Sequence, residues 1–296
     1  MPRGGGEIAA TFALVEGRTE LIHKYHTAPL KIAKTFRYAN ERLSITDEKQ
    51  NEHDQLGIYM MDCSPGLMSG DEYELSWHLQ AGTSVFLTNQ SFTKVHPSLE
   101  NNKSSQKQII RIGAHAVLEY MPEPVMLYKD ANFDSDTDVN MEKGATLILS
   151  DILCPGRSQR GEQFQYKHYT NRLKVYVDEE LIYYQNQRIE PQVMNLQAPG
   201  CWEDQTHLGN LYVFSEHIRQ KHVDLLLAAI VERLENDSEL NEKTWPVRFG
   251  ASLTYKYGLT VTIMGQHAWQ LQQLLTEAWQ AIRASLLGLM PLFIHK

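Results

Sequence analysis

The sequence has 296 residues, a hydrophobic content of 42% and a formal net charge of −8. This length fits one large β-rich domain or two smaller ones, and the hydrophobic content is sufficient for a sizeable core. The negative charge disfavours nucleic acid as a partner, because proteins that bind it carry clustered basic residues.

The chain has three cysteines, Cys63, Cys154 and Cys201, which lie far apart and form no C-x-x-C pair. Their odd number and spacing argue against a disulfide framework or a zinc knuckle and favour a reduced compartment. The N-terminal stretch lacks the apolar segment of a signal peptide, and no window approaches the roughly 18 consecutive apolar residues of a membrane span. We therefore expect a cytoplasmic protein with no membrane partner.

The first thirty residues predict two short strands around a turn at Glu16, and then a loop. Pro29 ends the second strand because proline has no N–H to donate to a sheet. His23 and His26 have a spacing that could bind a metal on a helix. On a strand they point to opposite faces, so we interpret them as structural residues.

The stretch from Asp62 to Pro97 predicts a β-hairpin with a polar end. Its first strand alternates, and one face carries Tyr73, Leu75, Trp77 and Leu79. This period of two is typical of a half-buried strand. A turn at Gly82 leads into the second strand, Thr83 to Thr88, and a polar segment follows from Asn89 to His96. So many polar groups indicate a binding site or a contact surface.

Three polar segments are predicted to be exposed loops: 40–55, 98–107 and 130–145. The third contains a D-x-D-x-D pattern formed by Asp134, Asp136 and Asp138. A calcium loop of this type also needs glycine at position six and glutamate at position twelve, where Val139 and Ala145 stand. We therefore interpret it as a solvated acidic loop.

The rest of the chain predicts further strands, a second polar turn and two helices. The turn, CPGRSQRGE, holds Arg157, Arg160 and Glu162. Apolar residues recur at helical spacing in 216–237 and 266–288, with Ser215 as a plausible N-cap of the first helix. We predict a single domain over 1–296, with a β body at about 7–214 and a helix-containing part at about 215–296.

Most enzyme signatures are missing from the sequence. It has no P-loop, no dinucleotide fingerprint, no G-x-S-x-G elbow and no H-E-x-x-H motif. Carboxylates near polar turns still allow metal binding or acid–base chemistry. A β-rich metal- or carbohydrate-binding hydrolase that uses paired carboxylates is therefore an alternative function.

Four polar segments in a fixed order resemble the UreD family of urease accessory proteins, also called UreH. They are GLMSGDEYELSW, LTNQSFTKVHP, LEYMPEPVMLYKDANF and ILCPGRSQRGEQF. The similarity runs from about Thr19 to Phe214, and AWQAIRASLLGLMPL resembles the last helix of the family. Gln159 stands where the family often has a small residue, and the ending FIHK departs from its usual C-terminal pattern.

This resemblance implies a urease maturation chaperone without catalytic activity. Such a protein acts with UreF and the GTPase UreG to deliver nickel to apo-urease, which is consistent with the missing P-loop here. The family's fold is mainly β, elongated and two-layered, with about two α-helices near the C-terminus. The resemblance also implies an internal path for Ni²⁺, only transient nickel binding and no tightly bound cofactor.

Under this resemblance the polar turns are expected to handle nickel. A cation path needs oxygen ligands that bind weakly enough to release the ion. We expect Asp71, Glu74 and Glu162 to line it, with Thr88 and Ser91 as neutral oxygens. Further residues of the path, of turns or of an interface are Lys94, His96, Arg157 and Arg160. Two alternatives remain open: these groups only stabilise β-turns, or the two helices form a docking surface for partners.

Overall fold

The computed structural model describes residues 4–41, 52–99, 102–239 and 246–294. In these ranges the chain forms 17 strands and two α-helices. The strands are β1 Gly5–Val15, β2 Arg18–His26, β3 Leu30–Glu41, β4 Glu52–Asp62, β5 Glu72–Leu79, β6 Ser84–Asn89, β7 Thr93–Val95, β8 Ser104–Ile112, β9 Val117–Tyr120, β10 Val125–Leu127, β11 Asn132–Met141, β12 Thr146–Cys154, β13 His168–Val177, β14 Glu180–Ile189, β15 His207–Phe214, β16 Arg248–Leu253 and β17 Gly258–Gly265. The helices are α1 Gln220–Glu239 and α2 Ala268–Ile282, and a π-helical turn, Arg283–Leu287, follows α2.

The strands form two sheets of seven and ten strands. In the first sheet β5, β8, β11 and β13 run parallel to one another, and in the second β4, β6, β9 and β12 do the same. The chain crosses to the second sheet after β5, β8 and β11 and returns to the first sheet at β8, β11 and β13, so each crossing and return together add one turn of a coil. Antiparallel strands close the ends of both sheets. The expected mainly β, two-layered fold is confirmed.

The predicted hairpin between β5 and β6 is wrong, because the two strands lie in different sheets. The turn at Gly82, which has a φ of 73°, directs the chain to the opposite layer. Alternation and a glycine turn occur both in a hairpin within one sheet and in a connection between two sheets, so the sequence pattern could not distinguish these two arrangements. The buried face of β5 is as predicted, since Tyr73, Leu75, Trp77 and Leu79 all belong to the core.

Two predicted loops contain strands. The acidic segment is β11, with Asp134, Asp136 and Asp138 on its outer side and Phe133 and Val139 buried. Residues Ser104 to Lys107, also expected in a loop, begin β8. Polar inward residues weakened the hydrophobic alternation in both segments. Most of the predicted loop at 40–55 lies outside the described residues, and its last residues belong to β4.

The chain after Pro29 is not a loop either, because β3 begins directly at Leu30. The strands on both sides of the Glu16 turn are confirmed as β1 and β2. His23 lies within β2 and His26 at its end, so both belong to a strand, as the structural interpretation requires.

The two predicted helices are confirmed, and they cover the outer side of the second sheet. They share a hydrophobic core with β12, β15 and β17, separate from the core between the sheets. Ser215 is not the N-cap of α1, which begins at Gln220; its hydroxyl instead accepts a hydrogen bond from Thr146. Neither helix in the described ranges is long and apolar enough to cross a membrane.

Candidate functional site

Polar side chains form a row between the two sheets, where apolar side chains are the rule. Tyr73, Gln106, Ser135 and Asn171 are in register on the adjacent strands β5, β8, β11 and β13. Each lies two positions from a buried residue of its own strand and therefore faces inward with it. Adjacent strands lie about 4.8 Å apart, so the row spans roughly 14 Å of the interior. We call these four residues the polar row.

One end of the polar row meets Asp62, the last residue of β4. The Tyr73 hydroxyl donates to Oδ2 of Asp62 at 2.9 Å, and the Ser64 hydroxyl donates to Oδ1 at 2.6 Å. Burial raises the pKa of Tyr73, so its hydroxyl keeps its proton and remains a donor at neutral pH. The Asp62 carboxylate is thereby held in a fixed orientation.

The other end meets Asp151 on β12 of the second sheet. Asn210 Nδ2 donates to its Oδ1 at 2.7 Å, while Asn171 Nδ2 and the Tyr212 hydroxyl donate to Oδ2, each at 3.1 Å. Burial raises the pKa of the Asp151 carboxyl, and these neutral donors only partly oppose that effect. A carboxylate held by neutral partners in the interior attracts a cation.

Cavities follow the polar row. One of about 20 Å³ is lined by Asp62, Tyr73 and Ser91, and the next, of about 80 Å³, by Ser135 and Asp151. The two share the lining residues Met60, Asn89, Thr93 and Gln106. A cavity needs about 10–15 Å³ to hold a water molecule, so both have room for water.

The larger interior cavity also borders a groove of about 550 Å³ beside α2. The residues that line both are Pro122, Glu123, Ser150 and Ile152. The three spaces therefore form a series from Asp62, across the polar row, to the surface beside α2.

The sequence-based candidates lie mainly outside this series. Ser91 lines the cavity next to Asp62, and Thr88 is buried, with its hydroxyl donating to the Met121 carbonyl at 2.6 Å. Asp71 accepts the Met68 N–H at 2.8 Å in the turn before β5, and Glu74 is exposed on the outer face of that strand. These two carboxylates and Glu162 line none of the spaces just described.

A different group of candidates meets around Tyr128. The His96 ring lies edge-on to the Tyr128 ring, with 5.0 Å between the centroids, and the Arg157 guanidinium carbon lies 4.1 Å from the Tyr128 centroid. Arg157 Nε donates to Glu162 Oε2 at 2.7 Å, and this bond lowers the pKa of Glu162. Arg157 and Glu162 therefore form an ion pair within the second polar turn.

The two remaining candidates lie at the surface. Lys94 is exposed in the short strand β7, and Arg160 ends the 3₁₀ turn of the second polar segment. No ion pair or side-chain hydrogen bond in the described ranges links Asp71, Glu74 and Glu162 to one another.

Sequence reasoning missed most of the polar row. Gln106 and Ser135 fall in segments that the polar pattern predicts to be loops, and Tyr73 lies on the predicted buried face of its strand. The sequence does contain a signal for these inward positions. In β8 from Gln106 and in β11 from Ser135, positions two apart along the strand are first polar and then apolar and buried, so the inward face can be followed back to the polar residues. In the part of the chain that the structure describes, no group of three or more His, Cys, Asp or Glu side chains is placed to hold a metal ion.

The fold and the site define a two-sheet β scaffold with a row of polar side chains across its apolar interior. The sequence profile of the family described as UreD urease accessory protein matches residues 4–294. The chain belongs to this family. The match extends the resemblance beyond Thr19 and Phe214 at both ends.

Individual relatives agree with this assignment. A protein named urease accessory protein UreD from Acetivibrio thermocellus is 32% identical over 260 residues, covering 88% of this chain and 90% of the relative. Its namesake from Lysinibacillus sphaericus is 32% identical over 214 residues, covering 72% and 75%. One from Bacillus cereus is 25% identical over 262 residues, covering 88% and 90%. Urease maturation is therefore the role that the family supports.

Proposed function

We propose that this protein is a cytoplasmic, non-catalytic chaperone that delivers nickel to apo-urease together with UreF and the GTPase UreG. Membership of the UreD urease accessory protein family supports the maturation role. The observation that carries the nickel path is the polar row between Asp62 and Asp151, with cavities along it.

The chemistry of the row suits transient passage of a divalent cation. Ni²⁺ accepts oxygen and nitrogen ligands, and moving it through an apolar core would cost far more free energy than moving it along polar groups. Carboxylates at the two ends attract the ion, and the amide and hydroxyl groups between them bind it more weakly. Weak binding between the ends allows release, as in other cation paths.

The candidate residues at the surface also take part in the proposed nickel delivery. Asp71, Glu74 and Glu162 either pass nickel to or from the interior or form contacts with partners. His96 and Arg157 packed against Tyr128 give the second polar turn a fixed shape, which suits a contact surface.

Maturation of urease in cells tests the proposal. Urease is purified from cells that make its subunits, UreF and UreG, with or without this protein, and its nickel content is measured by atomic emission. We expect urease without nickel when this protein is missing, and co-purification with UreF and apo-urease when it is present. Fully loaded urease in its absence would contradict the proposal.

The alternative of a hydrolase with paired carboxylates finds little support in the interior. Glycosidases place their two carboxyl groups about 5–10 Å apart. Asp62 and Asp151 instead bond to opposite ends of the polar row, which spans roughly 14 Å. Hydrolase activity of the isolated protein, lost on replacement of Asp62 or Asp151, would favour the alternative.

A further inference from the structure

Glu123 lies at the boundary between the groove beside α2 and the larger interior cavity. It lines both spaces, and the other residues that line both, Pro122, Ser150 and Ile152, carry no charge. A cation that moves between the groove and Asp151 therefore passes a negative charge at this point.

The backbone of Glu123 is held in place on both sides. Pro124 follows it and restricts its φ and ψ angles, and Pro122 precedes it with a φ angle that the proline ring fixes. Its N–H donates to Asn89 Oδ1 at 2.5 Å, and Asn89 Nδ2 donates to the Ser91 carbonyl at 2.9 Å. Movement at this boundary is thus confined to the side chain.

The side chain of Glu123 is bonded to helix α2. Gln272 Nε2 donates to Glu123 Oε2 at 2.9 Å, so the amide lies across the boundary. An amide group has both a donor and an acceptor. Rotation about the last side-chain bond would replace the N–H at Glu123 by the Gln272 carbonyl oxygen, which is a ligand for a cation.

We infer that Glu123 is the residue through which nickel crosses between the groove and the interior, and that the Gln272 amide closes this crossing when no cation is present. The inference rests on the proposed nickel path. A divalent cation at Glu123 displaces the N–H groups of the Gln272 amide and binds the amide oxygen instead. The Glu123 and Gln272 side chains therefore both close and open the crossing.

Two variants with matched controls test the inference. Glu123→Gln removes the charge, and Gln272→Lys places a permanent cation beside the carboxylate. Glu232→Gln removes an exposed carboxylate on α1 that lines none of the three spaces. Gln273→Lys adds the same charge at an exposed neighbour on α2.

Each variant is purified with UreF, UreG and apo-urease, and the initial rate of ⁶³Ni²⁺ transfer into urease is measured. We expect Glu123→Gln and Gln272→Lys to slow transfer by about tenfold or more, because a charge that attracts the cation is lost or neutralised. The controls are expected to stay within about twofold of the wild type, because exposed charges are screened.

Transfer by Glu123→Gln at the wild-type rate would overturn the inference. If that variant does not assemble with its partners, Gln272→Lys against Gln273→Lys decides, and equal rates for these two would overturn it. Ser135→Leu, which fills the interior cavity, distinguishes a failure of the crossing at Glu123 from a failure of the whole nickel path. Slow transfer by Ser135→Leu with normal transfer by Glu123→Gln refutes only the crossing, whereas normal transfer by both refutes the path itself.

Discussion

Glu119 and Arg283 form an ion pair in which both side chains are fully excluded from solvent. Glu119 lies on β9 and Arg283 directly follows α2, so the pair joins the helix layer to the second sheet. Gln55 Nε2 and Trp279 Nε1 also donate to the Glu119 carboxylate, at 2.7 and 2.6 Å. This network fixes α2, which carries one wall of the groove and Gln272.

Replacement of Arg283 by methionine should destabilise the protein strongly. Methionine keeps much of the volume but leaves the Glu119 charge buried without a cation, which typically costs about 3–5 kcal/mol. The free energy of unfolding in urea measures the effect. Lys256→Met, which breaks the exposed pair with Glu180, is the control and should have a much smaller effect. Equal losses for the two variants would contradict this account of the network.

The stability of the protein should depend on the ionisation of Asp151. Burial raises its pKa in the folded state above the value of about 3.9 expected for an unfolded chain. Its contribution to stability is therefore full below the unfolded pKa and is lost as the pH rises through the folded pKa. The free energy of unfolding of the wild type, relative to Asp151→Asn, should fall as the pH rises from about 4.

Urea unfolding at several pH values checks this dependence. Asp138→Asn is the control, because that carboxylate lies on the outer face of β11 and pairs with Lys174. A wild-type stability that rises with pH relative to Asp151→Asn would contradict this prediction, because it would mean that folding lowers the pKa of Asp151.

Glu162→Ala tests the sequence-based prediction that surface carboxylates handle nickel. Both oxygens of Glu162 accept hydrogen bonds from Arg157. They are therefore poorly available to a cation, and we expect the nickel content of urease to stay within about twofold of the wild type. A loss as large as that caused by Ser135→Leu would instead place Glu162 on the path.

The outer side of α2 is expected to contact UreF. Trp269 on this helix is 48% exposed, and Phe293 in the following segment is 79% exposed. Exposed aromatic residues are frequent at protein interfaces. Trp269→Glu should weaken co-purification with UreF, whereas Val193→Glu, at another exposed apolar residue, should not. Equal recovery of UreF with both variants would exclude this surface.

Deletion of residues 267–296 would not show whether the outer side of α2 binds UreF. The buried side of α2, which includes Leu271, Leu274 and Trp279, forms part of the second hydrophobic core. Its removal would expose that core and unfold the surrounding structure, so single surface substitutions are needed.

Periodicity predicted the strands and helices whose buried faces are continuously apolar. Tyr73 to Leu79 on β5 and the leucine stripe of α2 are examples. It failed where inward positions are polar, as at Gln106 and Ser135, because such strands resemble loops. It also could not assign β5 and β6 to separate sheets, since that depends on long-range pairing.

The functional residues were predicted less completely than the fold for the same reason. The predicted candidates were polar groups at turns, where polarity is conspicuous in the sequence. The polar row exists only when four strands come into register, and Asp62 and Asp151 are 89 positions apart in the chain. Ser91 is the predicted candidate that the structure places in the interior series of cavities.

Nickel loading of urease by Ser135→Leu, compared with Ser76→Leu, tests the central claim most directly. Both change serine to leucine on a strand of the first sheet, but Ser135 faces the interior cavity and Ser76 the outer side of β5. With UreF and apo-urease still co-purifying, we expect nickel per urease to fall about tenfold or more for Ser135→Leu, because an apolar side chain would block the path, and to stay near the wild type for Ser76→Leu. Full nickel content with Ser135→Leu would contradict the account of an interior nickel path.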